Sequence, residues 1–251
     1  MGFLLLLSSC GKTDVHCGKT DVHYRVDGEL GSYLSASYPQ MTEIGSGSLS
    51  RMALNTTVEE RVLGHLEDSR EDIIEGSYDS MEGMKTDPSS YGASFRGWRC
   101  EITYHLGHLE HDSVSICLKE YWYTGGHGNW SFTPVNLLYG DAGVEDVLLE
   151  ALFDQSKEWR ETVDRLIWAG FIDSMVVKGA NEEDVRKLRT DTDAQRGLCK
   201  ETSFTYSADG VTFYFDPYRL SSFSMGDFVI LVPIEKIAEL LNSNGPMRRY
   251  L

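Results

Sequence analysis

The residues best equipped for chemistry gather around one glycine loop, Gly125-Gly126-His127-Gly128, flanked by Tyr121, Trp122, Tyr123 and Trp130. Flat rings beside a loop that exposes backbone N–H groups can stack on sugar rings while the amides hold an anionic group. A plainer reading competes with this one: the glycines supply positive φ for a tight turn, and the alternate aromatics pack a core. The plainer reading is preferred. Tyr121 and Tyr123 share one face of a strand and Trp122 takes the other, so at most part of the set forms a surface platform. Tyr121, Tyr123, Gly125, Gly126, His127 and Trp130 are the candidate binding loop.

Other polar residues carry weaker signals. Glu120 has the parity of Ile116 and Leu118, which places it on a buried strand face. Near His127 it could serve as one half of an acid–base pair, although a structural salt bridge is the commoner role for such a residue. His105, His108 and His111 recur every third residue around a hairpin turn. Helical geometry would bring such imidazoles together, whereas a turn does not, so a solvated polar loop is expected and no metal site. The chain contains no G-x-S-x-G elbow, no P-loop and no H-E-x-x-H helix. No catalytic residue and no cofactor is assigned.

The charge balance narrows the partners. The 251 residues carry 23 basic and 39 acidic side chains, a net charge of −16. Such a surface repels phosphate backbones and anionic headgroups and attracts basic proteins or cations. Nucleic acid is therefore a poor partner, and membrane contact is expected only through an N-terminal lipid anchor. That anchor is suggested by Phe3-Leu4-Leu5-Leu6-Leu7 followed by Ser8-Ser9-Cys10, which has the placing and small-residue flank of a secretion signal. Leu7-Ser8-Ser9-Cys10 resembles the bacterial lipobox, and Cys10 is its candidate lipid attachment site. A tandem copy follows, Cys10–His16 and then Cys17–His23, which a flexible leader would tolerate.

The elements that position these residues follow from periodicity. Residues 1–32 read as signal, lipobox and tether. Tyr33–Tyr38 reads as a short strand stopped by Pro39. Leu54, Val58, Val62, Leu66 and Ile73 form the stripe of an amphipathic helix between about Ser48 and Gly76, which starts either at a capping box of Thr57 and Glu60 or earlier, near Ser48 or Ser50. Alternation then predicts strands over 98–106, 114–123 and 130–139. Short helices follow, one capped by Ser156 and another by Asn181. Further strands are expected at 204–206, 211–215 and 228–232, and a last helix begins at Pro233. Aligning the apolar faces of the first two long strands puts Cys100 and Cys117 on opposite sides, which argues against a disulfide. This order implies an α+β fold, an antiparallel β-sheet with helices packed on one face. The expected division is a subdomain over 33–118, a second over 119–242 and a tail over 243–251.

The string Tyr121-Trp-Tyr-Thr124-Gly125-Gly126-His127-Gly128, with Asn136-Leu137 and Leu149-Glu-Ala-Leu-Phe153, resembles the RsiV/PdaC-like family of bacterial extracytoplasmic domains. The Asp209-Gly210 turn, Phe213-Tyr-Phe-Asp216-Pro217-Tyr218, Gly226 and Val229–Pro233 agree with that family's C-terminal part. Tyr38-Pro39, the helix bearing Asn55 and the strand bearing Trp98 resemble the domain that precedes it. The family's Ala between Gly126 and His127 is missing here. In RsiV-like proteins the extracytoplasmic part binds lysozyme, and in PdaC-like proteins it accompanies a separate peptidoglycan deacetylase domain. The resemblance implies a non-catalytic binding module of an envelope lipoprotein, in the periplasm or at the cell surface. Its ligand would be a lysozyme-like basic protein or a cell-wall glycan. A cell-wall polysaccharide-modifying enzyme, or a structural accessory of an envelope complex, is the alternative.

Overall fold

The computed structural model describes residues 15–25, 32–43, 49–86, 97–124, 127–190, 196–200 and 202–251. Cys10 and the lipobox-like run, together with Gly125 and Gly126, lie outside them. No helix among the described residues is long and apolar enough to cross a membrane.

Six strands form the main sheet in sequence order: β1 (Val15–Arg25), β2 (Tyr33–Glu43), β3 (Arg99–Glu110), β4 (Ser113–Tyr123), β5 (Asn129–Gly140) and β6 (Gly143–Asp146). All neighbours are antiparallel except β2 and β3. That parallel pair is the consequence of α1 (Leu49–Thr86), which carries the chain across the sheet between the two strands.

One face of the sheet is covered by α1. Leu54, Val58, Val62, Leu66 and Ile73 are buried against Leu34, Ala36, Cys100, Ile102, Ile116 and Leu118. This is the stripe the sequence predicts, at the spacing that keeps one helical face inward. Asn55 fixes the helix to β2: its side-chain amide accepts from Met41 N at 2.9 Å and donates to Met41 O at 3.0 Å.

The opposite face carries a second, three-stranded antiparallel sheet: β7 (Ser203–Ser207), β8 (Gly210–Phe215) and β9 (Phe228–Pro233). Behind it lie the short helix α2 (Leu149–Leu152), α3 (Trp159–Val177) and α4 (Glu182–Thr190). Trp159, Val163, Ile167 and Phe171 of α3 share a core with Phe204, Tyr206, Phe213, Phe228 and Ile230. The class is α+β. Each of the two stacked sheets carries helices on its one outer face, α1 on the main sheet and α3 on the second.

A bulge at Gly107 makes the stacking possible. The β3–β4 register shifts between Leu106 and His108, so side-chain parity reverses there. Before it, Cys100 and Ile102 face α1; after it, Leu109 does, and His108 turns inward toward the second sheet. A Cβ at Gly107 would lie 2.7 Å from Thr205 Cβ, so glycine lets β7 press onto β3. Buried hydrogen bonds join the two sheets. Ser115 Oγ donates to Asn136 Oδ1 at 2.6 Å and accepts from Tyr206 N at 2.8 Å, and Asn136 Nδ2 donates to Phe204 O at 3.0 Å.

Several sequence expectations change. The span read as tether, 11–32, includes β1, which pairs with β2 along its whole length. Its alternation of exposed Cys17, Lys19, Asp21 and His23 with half-buried Gly18, Thr20 and Val22 is that of an edge strand. Backbone hydrogen bonds rather than apolar content hold it. Pro39 does not stop β2, because β3 pairs with β2 only as far as Ala36 and no N–H is needed on that side beyond it. Thr57 sits inside α1 and bonds to Ala53 O at 3.0 Å, so it caps nothing. Ser156 bonds to Asp154 ahead of α3 and does not cap it, whereas Asn181 does accept from Asp184 N at 2.9 Å. The 118/119 division falls within β4. The segment read as a tail is docked: Met247 is fully buried, and Arg249 pairs with Glu110 and, at 3.2 Å, with Asp112.

Candidate functional site

The β4–β5 hairpin gathers aromatic residues at one end of the main sheet, and the sheet sorts them by parity. Tyr121 and Trp130 are cross-strand partners and share the face turned toward the second sheet with Lys119 and Phe132. Trp122 pairs with Cys100 and takes the face that α1 covers, next to Trp98.

On the first face the candidate loop residues come together. Tyr121 lies over Gly128, where a Cβ would come within 2.1 Å of its hydroxyl. The exposed His127 ring sits 4.5 Å from Phe223, and Trp130 sits 5.7 Å from the same ring. Lys119 Nζ lies 5.0 Å from the Trp130 ring centre, and Arg99 lies 4.8 Å from that of Tyr123. The segment carrying Phe223 is anchored at both ends. Asp216 accepts from Phe132 N at 2.8 Å, and Asp227 pairs with Lys119 at 3.0 Å. Burial raises the Asp216 pKa, and the bond from Phe132 N opposes that shift. Tyr218, in the same segment, is exposed and has a φ of 71°, an uncommon conformation for a non-glycine residue.

On the other face the structure forms a cleft that the sequence reading missed. Asp72, Glu75 and Gly76 of α1, with Trp98, Trp122, Thr124, Asn129, Trp130 and Ser131, line an open space of about 580 Å³. The size suits a small ligand or a protruding side chain. Its residues come from segments far apart in sequence, so no local motif announces it. The available hint is the parity of Trp122, opposite to Tyr121 and Tyr123, together with a glycine on the buried stripe of α1.

The last turns of α1 before the cleft are strongly acidic. Glu67, Asp68, Glu71, Asp72 and Glu75 are exposed, and Arg70 is the one base among them. Arg70 is paired with Glu67 at 2.8 Å. Neither Asp72 nor Glu75 has a hydrogen bond or ion pair among the described residues.

Glu120 and His127 do not form the pair considered from sequence. Glu120 faces α1, accepts from Ser69 Oγ at 2.7 Å and lies 3.5 Å from Cys100 Sγ. His127 packs on the other side of the sheet, against Phe223. The three histidines of the β3–β4 hairpin also separate. His111 is exposed, His105 packs against Tyr214 at 5.3 Å, and His108 is buried. His108 contradicts the expected solvated loop, and the parity reversal at Gly107 is the cause. Its Nε2 lies 2.7 Å from Ser113 Oγ and its Nδ1 lies 2.6 Å from the Tyr250 hydroxyl. Burial, with Arg249 nearby, lowers its pKa to about 4. Glu110, His111 and Asp112 place ligand atoms within 4.8 Å of one another, but Arg249 already spans the two carboxylates. Cys100 and Cys117 are both free and buried, Cys100 beneath α1 and Cys117 beside Phe132 and Tyr214. Burial raises both thiols, Cys100 to about 12.

Comparison with known proteins connects this architecture to a family. A search of curated proteins finds no match. The chain is similar in structure to a DUF3298-family member from Bacteroides fragilis NCTC 9343, with a TM-score of 0.60 and 17% identity over 92% of this chain and 94% of that one. It is also similar to a DUF3298-family protein from Pseudomonas aeruginosa PAO1, with a TM-score of 0.55 and 14% identity over 92% and 95% of the two chains. At these identities the likeness concerns the fold alone. Residues 145–235, from β6 to the end of β9, match the family described as "Protein of unknown function (DUF3298)", and the chain as a whole shares the fold of two structures from that family.

Proposed function

We propose that the chain is a non-catalytic binding module of the bacterial envelope, of the RsiV/PdaC-like kind, presented outside the cytoplasm on a lipid tether at Cys10. Its partner is a basic protein of the lysozyme type. One observation carries the reading: the acidic run of α1 from Glu67 to Glu75, in which five carboxylates face the single base Arg70, leads directly into a cleft lined by tryptophan. In a chain of net charge −16, that run concentrates negative potential beside rings able to contact a docking surface. Such fields accelerate encounter with a basic partner and weaken as salt rises.

The glycan reading draws support from the same cleft, where Asn129, Ser131 and Thr124 stand beside the indoles. The two rim carboxylates, Asp72 and Glu75, with no base among the described lining residues, favour the cationic partner. The enzyme reading loses its acid–base pair with the separation of Glu120 from His127.

Retention of lysozyme on the immobilised protein, measured over an ionic-strength series, tests the proposal. Retention at low salt that declines with added salt is expected. Absence of retention at the lowest salt removes the basic-protein reading, and retention of purified peptidoglycan in its place would favour the glycan.

A further inference from the structure

We infer that the cleft between α1 and the β4–β5 hairpin is a socket for one organic cation, the guanidinium or ammonium group of an arginine or lysine side chain on the partner. The inference rests on the reading of the chain as a binder of basic protein, and it specifies where that partner is seated and by which contacts.

The socket's walls and rim supply complementary attractions. Trp98 and Trp122 lie side by side on the α1 face of the sheet, and indole is the aromatic group that attracts a cation most strongly. Asp72 and Glu75 stand three residues apart on α1 and so project from the same side of the helix. Both are exposed, and neither is engaged among the described residues. Nearby carboxylates are already committed, Glu67 to Arg70 and Glu120 to Ser69. Asn129 and Ser131 line the same space and offer neutral oxygens for the remaining N–H groups of a guanidinium.

Among the described residues lining the cleft none is a base, while Lys119 lies 5.0 Å from the ring centre of Trp130, a lining residue, from the other face of the hairpin. The arrangement differs from a sugar site in what it predicts: a neutral saccharide would use the rings but would be indifferent to the charge of Asp72 and Glu75.

The test follows the indole N–H signals of the intact protein by NMR while L-argininamide is added. Signals of Trp98 and Trp122 are expected to move, and those of the buried Trp159 and Trp168 to stay. The exposed double substitution Asp72→Asn with Glu75→Gln should weaken the response by roughly ten-fold, and Trp122→Leu should abolish the remaining Trp98 shift. Unmoved Trp98 and Trp122 signals would overturn the socket. So would equal affinity in the double variant, or an equal response to neutral chitotriose. If lysozyme is retained while argininamide leaves these indoles untouched, the socket fails and the broader reading stands. If argininamide binds there while lysozyme is not retained, the broader reading fails and the socket stands.

Discussion

The indole of Trp98 lies against Gly76 so closely that a Cβ at position 76 would come within 2.1 Å of its Cη2 atom. This contact sets the floor of the cleft, because it fixes the height of the ring relative to Asp72, one turn earlier on α1, and Glu75, the residue before. Gly76→Ala tests the relationship. Alanine favours a helix by about 1 kcal/mol over glycine, and the clash with a rigid ring opposes that gain. Thermal unfolding should therefore change little, while the Trp98 indole signal shifts and argininamide binding falls. A variant with unchanged binding would show that the ring's position does not matter to the site.

The contact between the two sheets depends on Asn136. Its side chain joins Ser115 to the Phe204 carbonyl, and Ser115 in turn holds Tyr206 N. Asn136→Ala leaves a buried hydroxyl and a buried carbonyl short of partners, with an expected loss of roughly 2–3 kcal/mol in denaturant unfolding. A loss within about 0.5 kcal/mol, the usual range for exposed positions, would mean that water replaces the amide without cost.

Acid should weaken the fold through His108. Its pKa is about 4 in the folded chain against an ordinary 6.5, so the unfolded chain binds the proton more readily. The stabilising contribution is complete above the ordinary value and is lost as pH falls from about 6.5 toward 4. Across that window the full loss is on the order of 3 kcal/mol. Glu110, Asp112, Arg249, Tyr206 and Tyr250 all face the ring, and a protonated imidazole would still have Arg249 close by. In His108→Gln the pH dependence of the unfolding free energy over this window should flatten. An unaltered slope would assign the effect to another group.

The docked C-terminus should also matter. Met247 is buried in the core around α3, and Arg249 and Tyr250 reach the β3–β4 hairpin. Met247→Ala should cost roughly 2–5 kcal/mol by leaving a cavity, measured by denaturant unfolding. A cost under about 1 kcal/mol would mean that the segment detaches without consequence.

What the sequence made legible depended on how local the physics was. The stripe from Leu54 to Ile73 and the alternation from Trp98 to Tyr104 report burial on a single face, and both elements stand where the periodicity puts them. The opposite placement of Cys100 and Cys117 followed from the same alternation. β1 was hidden because an edge strand held by backbone hydrogen bonds has little apolar signature. His108 was misplaced because one bulge at Gly107 reverses every side chain after it. Of the site, the residues around Trp130 were visible as a cluster in sequence. The cleft was not, since Asp72, Trp98 and Trp122 meet only through the packing of α1 on the sheet.

The association rate constant of lysozyme with the full chain, measured as ionic strength is varied, addresses the central claim most directly. At about 0.01 M salt the screening length is ~30 Å, and it shrinks to about 8 Å at 0.15 M. The acidic run of α1 should therefore give fast association at low salt, and the rate constant should fall by roughly ten-fold or more across that range. Asp72→Asn with Glu75→Gln should lower both the rate and its salt dependence. A rate constant flat in salt, or no association at the lowest salt, would contradict the account.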